Sequence, residues 1–167
     1  MELTRQQEIF AGIEAEVKQL GLEYAYVPGA ESQLGQTLRF SVPMDGEDLN
    51  VLVEAMTVDL DGDTTVLQIY TTLLNQVPSV AELEKAAAHW NLYVTLGHFG
   101  IYYELKQLYH RYNVMLPAQV EPDDAVTHFW AAFAVIIEDL NRYYPVAAAL
   151  AAGATDYETA VRDGLCP

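Results

Sequence analysis

The sequence predicts an α+β domain of two layers, in which helices pack on an antiparallel sheet in the order α-β-β-β-α-β-β-α. Three observations lead to this prediction. A capped amphipathic helix opens the chain, β-rich runs separated by Asp-Gly turns follow it, and a long apolar helix comes late. We expect residues 1–153 to form a single α+β domain and residues 154–167 to form a polar C-terminal tail.

The first helix is predicted over residues 5–20. Thr4 and Gln7 have the spacing of a capping box, in which each side chain bonds the other residue's backbone amide. One apolar stripe follows at helical spacing, formed by Phe10, Ile13, Val17 and Leu20. Gly21 is typical of a helix C-terminus.

Strand signals occupy the next part of the chain. Residues 22–35 indicate a short strand and then a loop, and Thr37–Val42 alternates between apolar and polar residues. Two further β-rich runs, 50–58 and 64–74, are separated by Asp61-Gly62, a strong hairpin signal. These patterns predict three antiparallel strands in sequence.

A second helix is predicted from Ser79 to about Trp90 or Tyr93, because Ser79 and Glu82 have capping-box spacing directly after Pro78. Residues 99–116 fit two patterns. Their tyrosine and valine content favours two strands, whereas Lys106-Gln107 is poor hairpin chemistry and a helical stripe also fits.

The last helix begins near Pro122, with Glu121, Asp123 and Asp124 at its positive end. Pro145 is expected to kink or restart it, and Gly153 to end it. The aromatic residues of this helix are expected mainly in the core, with part of the face available to a second subunit or a client; they are Phe129, Trp130, Phe133, Tyr143 and Tyr144.

The net charge of the chain makes some classes of binding partner unfavourable. The chain has 24 acidic against 8 basic residues, a net charge of −16. Such a field disfavours nucleic acid and anionic membrane surfaces, and it favours basic partners or simply solubility. No apolar run is long enough to span a bilayer, the start of the chain lacks signal-peptide features, and Cys166 is the only cysteine. We therefore expect a cytoplasmic protein.

The sequence assigns no catalytic, cofactor-binding or metal-binding residue, and no partner-binding face. Asp59, Asp61 and Asp63 do not match a calcium loop, since glycine and glutamate are missing from the required positions. The histidines have no metal-ligand spacing; they are His89, His98, His110 and His128. Nucleophile elbows and phosphate-binding glycine motifs are absent from the sequence. We expect no enzymatic activity and no cofactor.

Three passages carry a resemblance to a known family: HWNLYVTLGHFGIYYE (His89–Glu104), NVMLP (Asn113–Pro117) and EPDDAVTHFWAAFAVIIEDLNRYYP (Glu121–Pro145). With the element order, they resemble the type III secretion chaperone-like fold, and within it the YbjN-type sensory-transduction regulators. The resemblance covers most of residues 36–150. It implies helices packed on an antiparallel sheet, two strands within 99–116 and a homodimer; it carries no functional residues.

The leading hypothesis is a non-enzymatic, acidic protein-binding domain, either a regulator of the YbjN type or a chaperone-like holder of a client protein. An exposed strand edge would receive an extended segment, and the acidic field would select a basic client. The alternative is a small-ligand sensor with a pocket between the helices and the sheet, lined by Tyr and Trp.

Overall fold

The computed structural model describes residues 4–27, 36–45, 50–60 and 64–166. Within them the chain forms an α+β domain, as predicted, and the predicted order α-β-β-β-α-β-β-α is confirmed. A short strand before the three long ones and a short helix after the last one complete it. The elements are α1 (Arg5–Gln19), β1 (Tyr24–Val27), β2 (Thr37–Pro43), β3 (Asn50–Asp59), β4 (Thr64–Leu74), α2 (Ala81–Trp90), β5 (His98–Tyr102), β6 (Gln107–Pro117), α3 (Pro122–Ala151) and α4 (Tyr157–Arg162).

The strands form one antiparallel sheet in the order β1-β2-β3-β4-β6-β5. Alternate residues of β4 are buried, from Thr65 to Leu73, while those between them stay partly exposed. One face of the sheet is therefore packed and the other is not. The pairing of β3 with β4 confirms the predicted hairpin strands. The proposed turn residues Asp61 and Gly62 lie outside the described residues, as do residues 28–35 of the segment predicted as a short strand and then a loop.

Helix α1 has the predicted capping box. The Thr4 amide donates to Gln7 Oε1 at 2.8 Å, and the Gln7 amide donates to Thr4 Oγ1 at 3.3 Å. Gly21 ends the helical region with φ +70°. The predicted apolar stripe is buried as far as Val17, but Leu20 is 60% exposed because it caps the helix after the packed turns.

The predicted capping box of α2 is wrong. This helix starts at Ala81, and its N-cap, Val80, makes no side-chain cap. The carboxylate of Glu82 bonds elsewhere: it accepts from the Tyr157 amide at 2.8 Å and from Lys85 Nζ at 2.9 Å. A tertiary contact to α4 thus replaces the local bond that the sequence spacing predicted.

Residues 99–116 form strands, as expected. Lys106 has φ +48°, a conformation that is unfavourable for a residue with a side chain. The carbonyls of Leu105 and Lys106 accept from the amides of Gln76 and Val77, at 3.2 and 3.1 Å. These long-range bonds hold the turn between β5 and β6 in place, although its own sequence is poor hairpin chemistry.

Helix α3 continues through Pro145 without a restart and ends before Gly153, which has φ +68°. Residues on both sides of the proline are buried against the domain, which holds the two halves in one helix. Past α3, the segment predicted as a polar tail contains α4. Ala160 and Cys166 are buried in the core cluster, at 0% and 4% exposure.

Among the described residues, no helix has the length and apolar content needed to cross a membrane.

The aromatic residues that the sequence placed in the core are buried there, except Trp130, which is half-buried. Phe129 and Phe133 pack with Phe40 of β2, with ring centroids 6.4 and 5.7 Å from the Phe40 centroid.

Candidate functional site

The sheet face opposite the helices forms an open concavity of about 770 Å³. We call it the sheet groove. It is lined by residues of all six strands and of the β5–β6 turn, and defined by the side chains of Arg39, Leu52, Glu54, Tyr70, Tyr109 and Arg111. Strand alternation explains its position, since side chains two residues apart share a face.

One row of side chains crosses five strands on this face. Cross-strand pairing places Arg39 opposite Glu54, Glu54 opposite Tyr70, Tyr70 opposite Arg111, and Arg111 opposite His98. Directly opposed residues have Cβ atoms about 4.5–5.5 Å apart, so neighbours in the row interact. The register of four strand pairs therefore assembles a polar row from residues that are far apart in the sequence.

An ion pair occupies the β2–β3 end of the row. Arg39 Nε lies 2.6 Å from Glu54 Oε1, with the Glu54 side chain 16% exposed and that of Arg39 46% exposed. The pair is partly open to water, so its contribution to stability is small. Within the groove, the ion pair means that the Glu54 carboxylate is already bound to a neighbouring cation, Arg39.

The centre of the groove is aromatic. Tyr70 and Tyr109 stack with ring centroids 4.9 Å apart and an interplanar angle of 22°. The Tyr70 hydroxyl donates to Gln107 Oε1 at 2.7 Å, and Gln107 Nε2 donates to Thr72 Oγ1 at 3.1 Å. Burial, followed by the neighbouring Tyr109 and Glu54, raises the pKa of Tyr70 to about 12. The phenol therefore stays protonated and holds its hydrogen bond at neutral pH.

At the β5 end of the row, Arg111 and His98 are neighbours. Arg111 Nη2 lies 3.4 Å from His98 Nε2. Burial, and then the charge of Arg111, lower the pKa of His98 below its ordinary value. His98 is therefore neutral at neutral pH and adds no second positive charge beside Arg111.

The edge of the sheet at β5 is closed by a side chain. Asn91 Nδ2 donates to the Phe99 carbonyl at 2.9 Å, and the Phe99 amide donates to Asn91 Oδ1 at 2.7 Å. The Asn91 amide takes both backbone bonds that an added strand would need at Phe99. Natural sheets protect edges against unwanted pairing in this general way.

Charge is unevenly distributed between the two layers. The charged residues of the six strands are two arginines and two acids, namely Arg39, Arg111, Glu54 and Asp59. The three longer helices carry many of the carboxylates: Glu8, Glu14, Glu16, Glu82, Glu84, Asp123, Asp124, Glu138 and Asp139. The net charge of −16 is thus not a property of the sheet groove.

The four histidines lie in α2, β5, β6 and α3. Only His98 lies beside the groove; His110 is fully buried on the opposite face, where its Nε2 lies 2.8 Å from the Leu96 carbonyl. His128 Nε2 lies 3.0 Å from the Tyr112 hydroxyl on the surface. Across the described ranges, no group of three His, Cys, Asp or Glu side chains is placed to hold a metal ion.

The concavity lies on the other side of the sheet from the sensor pocket considered in the sequence analysis. On the helix side of the sheet, Trp90 and Tyr143 are both 0% exposed, and their rings lie 5.1 Å apart in the core, tilted by 34°. Sequence reasoning did not identify Tyr70, Tyr109 or Arg111. The alternation of Gln107, Tyr109 and Arg111 along β6 could have indicated that they share one face of the sheet. Which residues of β4 lie opposite them follows only from the strand register.

No protein-family model matches the chain, and no curated protein matches it either.

Proposed function

We propose that the protein is a non-enzymatic protein-binding domain, acting as a regulator of the YbjN type or as a chaperone-like holder of a client. One observation carries this proposal: the sheet groove presents Leu52, Tyr102 and Leu105 to solvent, at 36%, 44% and 49% exposure, beside the fixed Tyr70–Tyr109 stack. Large apolar and aromatic side chains around a concave surface are typical of the cores of protein interfaces.

The occupant we propose is an extended segment of a basic client. Its apolar side chains would lie on the groove, whose charged lining residues are Arg39, Glu54 and Arg111. Its basic residues would be attracted by the carboxylates of the helices on the other face of the sheet, which raise the association rate and select against acidic competitors. The groove would thus supply the apolar contacts and the helices the electrostatic attraction, because the described helices carry more carboxylates than the described strands.

Backbone pairing would take place at the β1 edge. The described strands end at β1 on one side of the sheet and at β5 on the other, and Asn91 occupies the β5 edge at Phe99. Val27 of β1 also lines the groove. A segment added to β1 would therefore place alternate side chains toward the groove.

A non-enzymatic role is supported by how the polar groups of the groove are used. Glu54 is held by Arg39, the Tyr70 hydroxyl by Gln107, and the Gln107 amide by Thr72. A general base or nucleophile needs a free group within reach of substrate. These side chains instead bind one another and fix the shape of the surface.

The proposal includes a cytoplasmic location and a homodimer. The buried thiol of Cys166 fits a reducing compartment, since it forms part of the core without a disulfide. Light scattering on the purified chain measures the oligomer. A dimer mass is expected, and a monomer at all concentrations would contradict this part of the proposal.

The experiment compares wild type with Leu52→Asp as bait in native cell extract, at low and at physiological salt, read by mass spectrometry. The matched control is Leu92→Asp, because Leu92 is 77% exposed and does not line the groove. We expect a basic protein that is retained by wild type and Leu92→Asp, lost with Leu52→Asp, and weakened by salt. Equal capture by all three baits, or no basic partner, would overturn the proposal.

A further inference from the structure

Arg111 is the one groove cation that no described carboxylate pairs with. The ion pairs among the described residues are formed by Lys18, Arg39, Lys85 and Arg162. Arg111 lies half-buried on β6, between Tyr70 and His98 in the cross-strand row. Its Nε is buried and has no hydrogen-bond partner.

Arg111 Nη2 lies 3.4 Å from His98 Nε2, so the donor without a partner is Nε, and a buried donor without a partner is unfavourable. Its neighbours cannot neutralise it: Tyr70 keeps its proton, and His98 is a neutral ring. Glu54 lies one residue further along the row and is engaged by Arg39. The planar guanidinium fork matches a carboxylate, which can accept two parallel hydrogen bonds.

A rigid aromatic surface adjoins this cation. Tyr109 lies two residues before Arg111 on the same face of β6, and its ring stacks on Tyr70. Hydrogen bonds from Tyr70 to Gln107 and from Gln107 to Thr72 fix the stack. A surface held in place before binding loses little conformational entropy when a planar ligand packs on it.

We propose that Arg111 and Tyr109 form a subsite for a small aromatic monocarboxylate, whose carboxylate bonds the Arg111 guanidinium while its ring packs beside Tyr109. A single negative charge fits better than several, because the chain as a whole carries −16. The inference goes beyond the proposed function by giving the protein a small-molecule ligand. Since that ligand would share the groove with the client segment, it would compete with client binding.

The experiment titrates the full chain with benzoate, followed by backbone amide NMR shifts. Benzamide keeps the ring but is neutral, so it tests whether binding needs the negative charge. Acetate keeps the carboxylate but has no ring, so it tests whether binding needs the aromatic contact. Arg111→Gln removes the guanidinium, and Arg111→Lys keeps the charge without the fork. Arg162→Gln is the matched control: it removes one positive charge from α4, where the side chain is 72% exposed.

We expect benzoate to shift amides around Tyr70, Tyr109 and Arg111, with benzamide and acetate each at least roughly tenfold weaker. Arg111→Gln should weaken benzoate about tenfold or more, Arg111→Lys by less, and Arg162→Gln not measurably. Equal binding of benzamide, unchanged binding by both Arg111 variants, or no shift at millimolar benzoate would overturn the subsite. If Arg111→Gln does not fold, Arg111→Lys decides the result. No client is needed, so failure here is separate from failure of the proposed function.

Discussion

Gly100 lies directly against the end of the Tyr109 ring. A Cβ at position 100 would be 2.5 Å from both Cζ and the hydroxyl oxygen of Tyr109. Real non-bonded carbon contacts do not come this close. The missing side chain on β5 thus makes room for the ring that forms the centre of the sheet groove.

Gly100→Ala is expected to displace Tyr109 from its stack on Tyr70 and to destabilise the fold by about 1–3 kcal/mol, because an added methyl overpacks the site. Urea unfolding measures the loss, and the near-ultraviolet circular dichroism of the tyrosines reports the broken stack. In the double variant Gly100→Ala/Tyr109→Ala the two effects should be less than additive, since removal of the ring removes the clash. Strict additivity would show that the two residues do not interact.

The stability of the domain should fall in mild acid because of His110. Burial lowers the pKa of His110 below its ordinary value, since the charged ring is poorly solvated there. The unfolded chain then binds the proton more readily than the folded one. The free energy of unfolding therefore decreases as pH falls below about 6.5, by up to about 1.4 kcal/mol per pH unit for this one proton.

His110→Gln tests this, because a Gln amide can also donate to the Leu96 carbonyl. The slope of unfolding free energy against pH should become shallower in this variant, whatever its absolute stability. Leu92→Gln, at a site that is 77% exposed and carries no titratable group, should keep the wild-type slope. The groups around His110 include His98 and Asp139, whose charges act on it in opposite directions. An unchanged slope in His110→Gln would assign the acid sensitivity to other groups.

Docking of the C-terminal segment should depend on Glu82. Its carboxylate accepts from the Tyr157 amide at 2.8 Å and so joins α2 to the start of α4. In Glu82→Ala, amides of residues 157–166 should exchange hydrogen faster, because local opening of α4 becomes easier. Glu138→Ala, an exposed carboxylate on α3, is the control. Equal protection of α4 in both variants would mean that core burial of Ala160 is sufficient.

Substitution of Trp90 should destabilise the core between the helices and the sheet strongly, because Trp90 is 0% exposed and packs on Phe99 and Tyr143. Trp90→Ala is expected to cost about 3–5 kcal/mol in urea unfolding. Leu92→Ala, two residues later and 77% exposed, should stay within about 0.5 kcal/mol of wild type. A small loss in Trp90→Ala would show that the core collapses around the cavity.

Local signals were reliable where the interactions are local. The Thr4–Gln7 capping box and the stop at Gly21 were predicted because both depend on neighbouring residues. The similar Ser79–Glu82 spacing misled, since Glu82 bonds Tyr157, far away in the chain. The Lys106 turn was likewise held by amides from residues 76–77, which no local pattern shows.

The sequence by itself determined the α+β class, the long strands and the helical layer, because hydrophobic periodicity sets which residues each element buries. Tertiary structure alone decided the sheet groove. Glu54, Tyr70, Arg111 and His98 become neighbours through strand register, and a shift of one residue would turn every side chain of a strand to the other face. The same register places Glu54 opposite Arg39, and Arg111 has no carboxylate partner among the described residues.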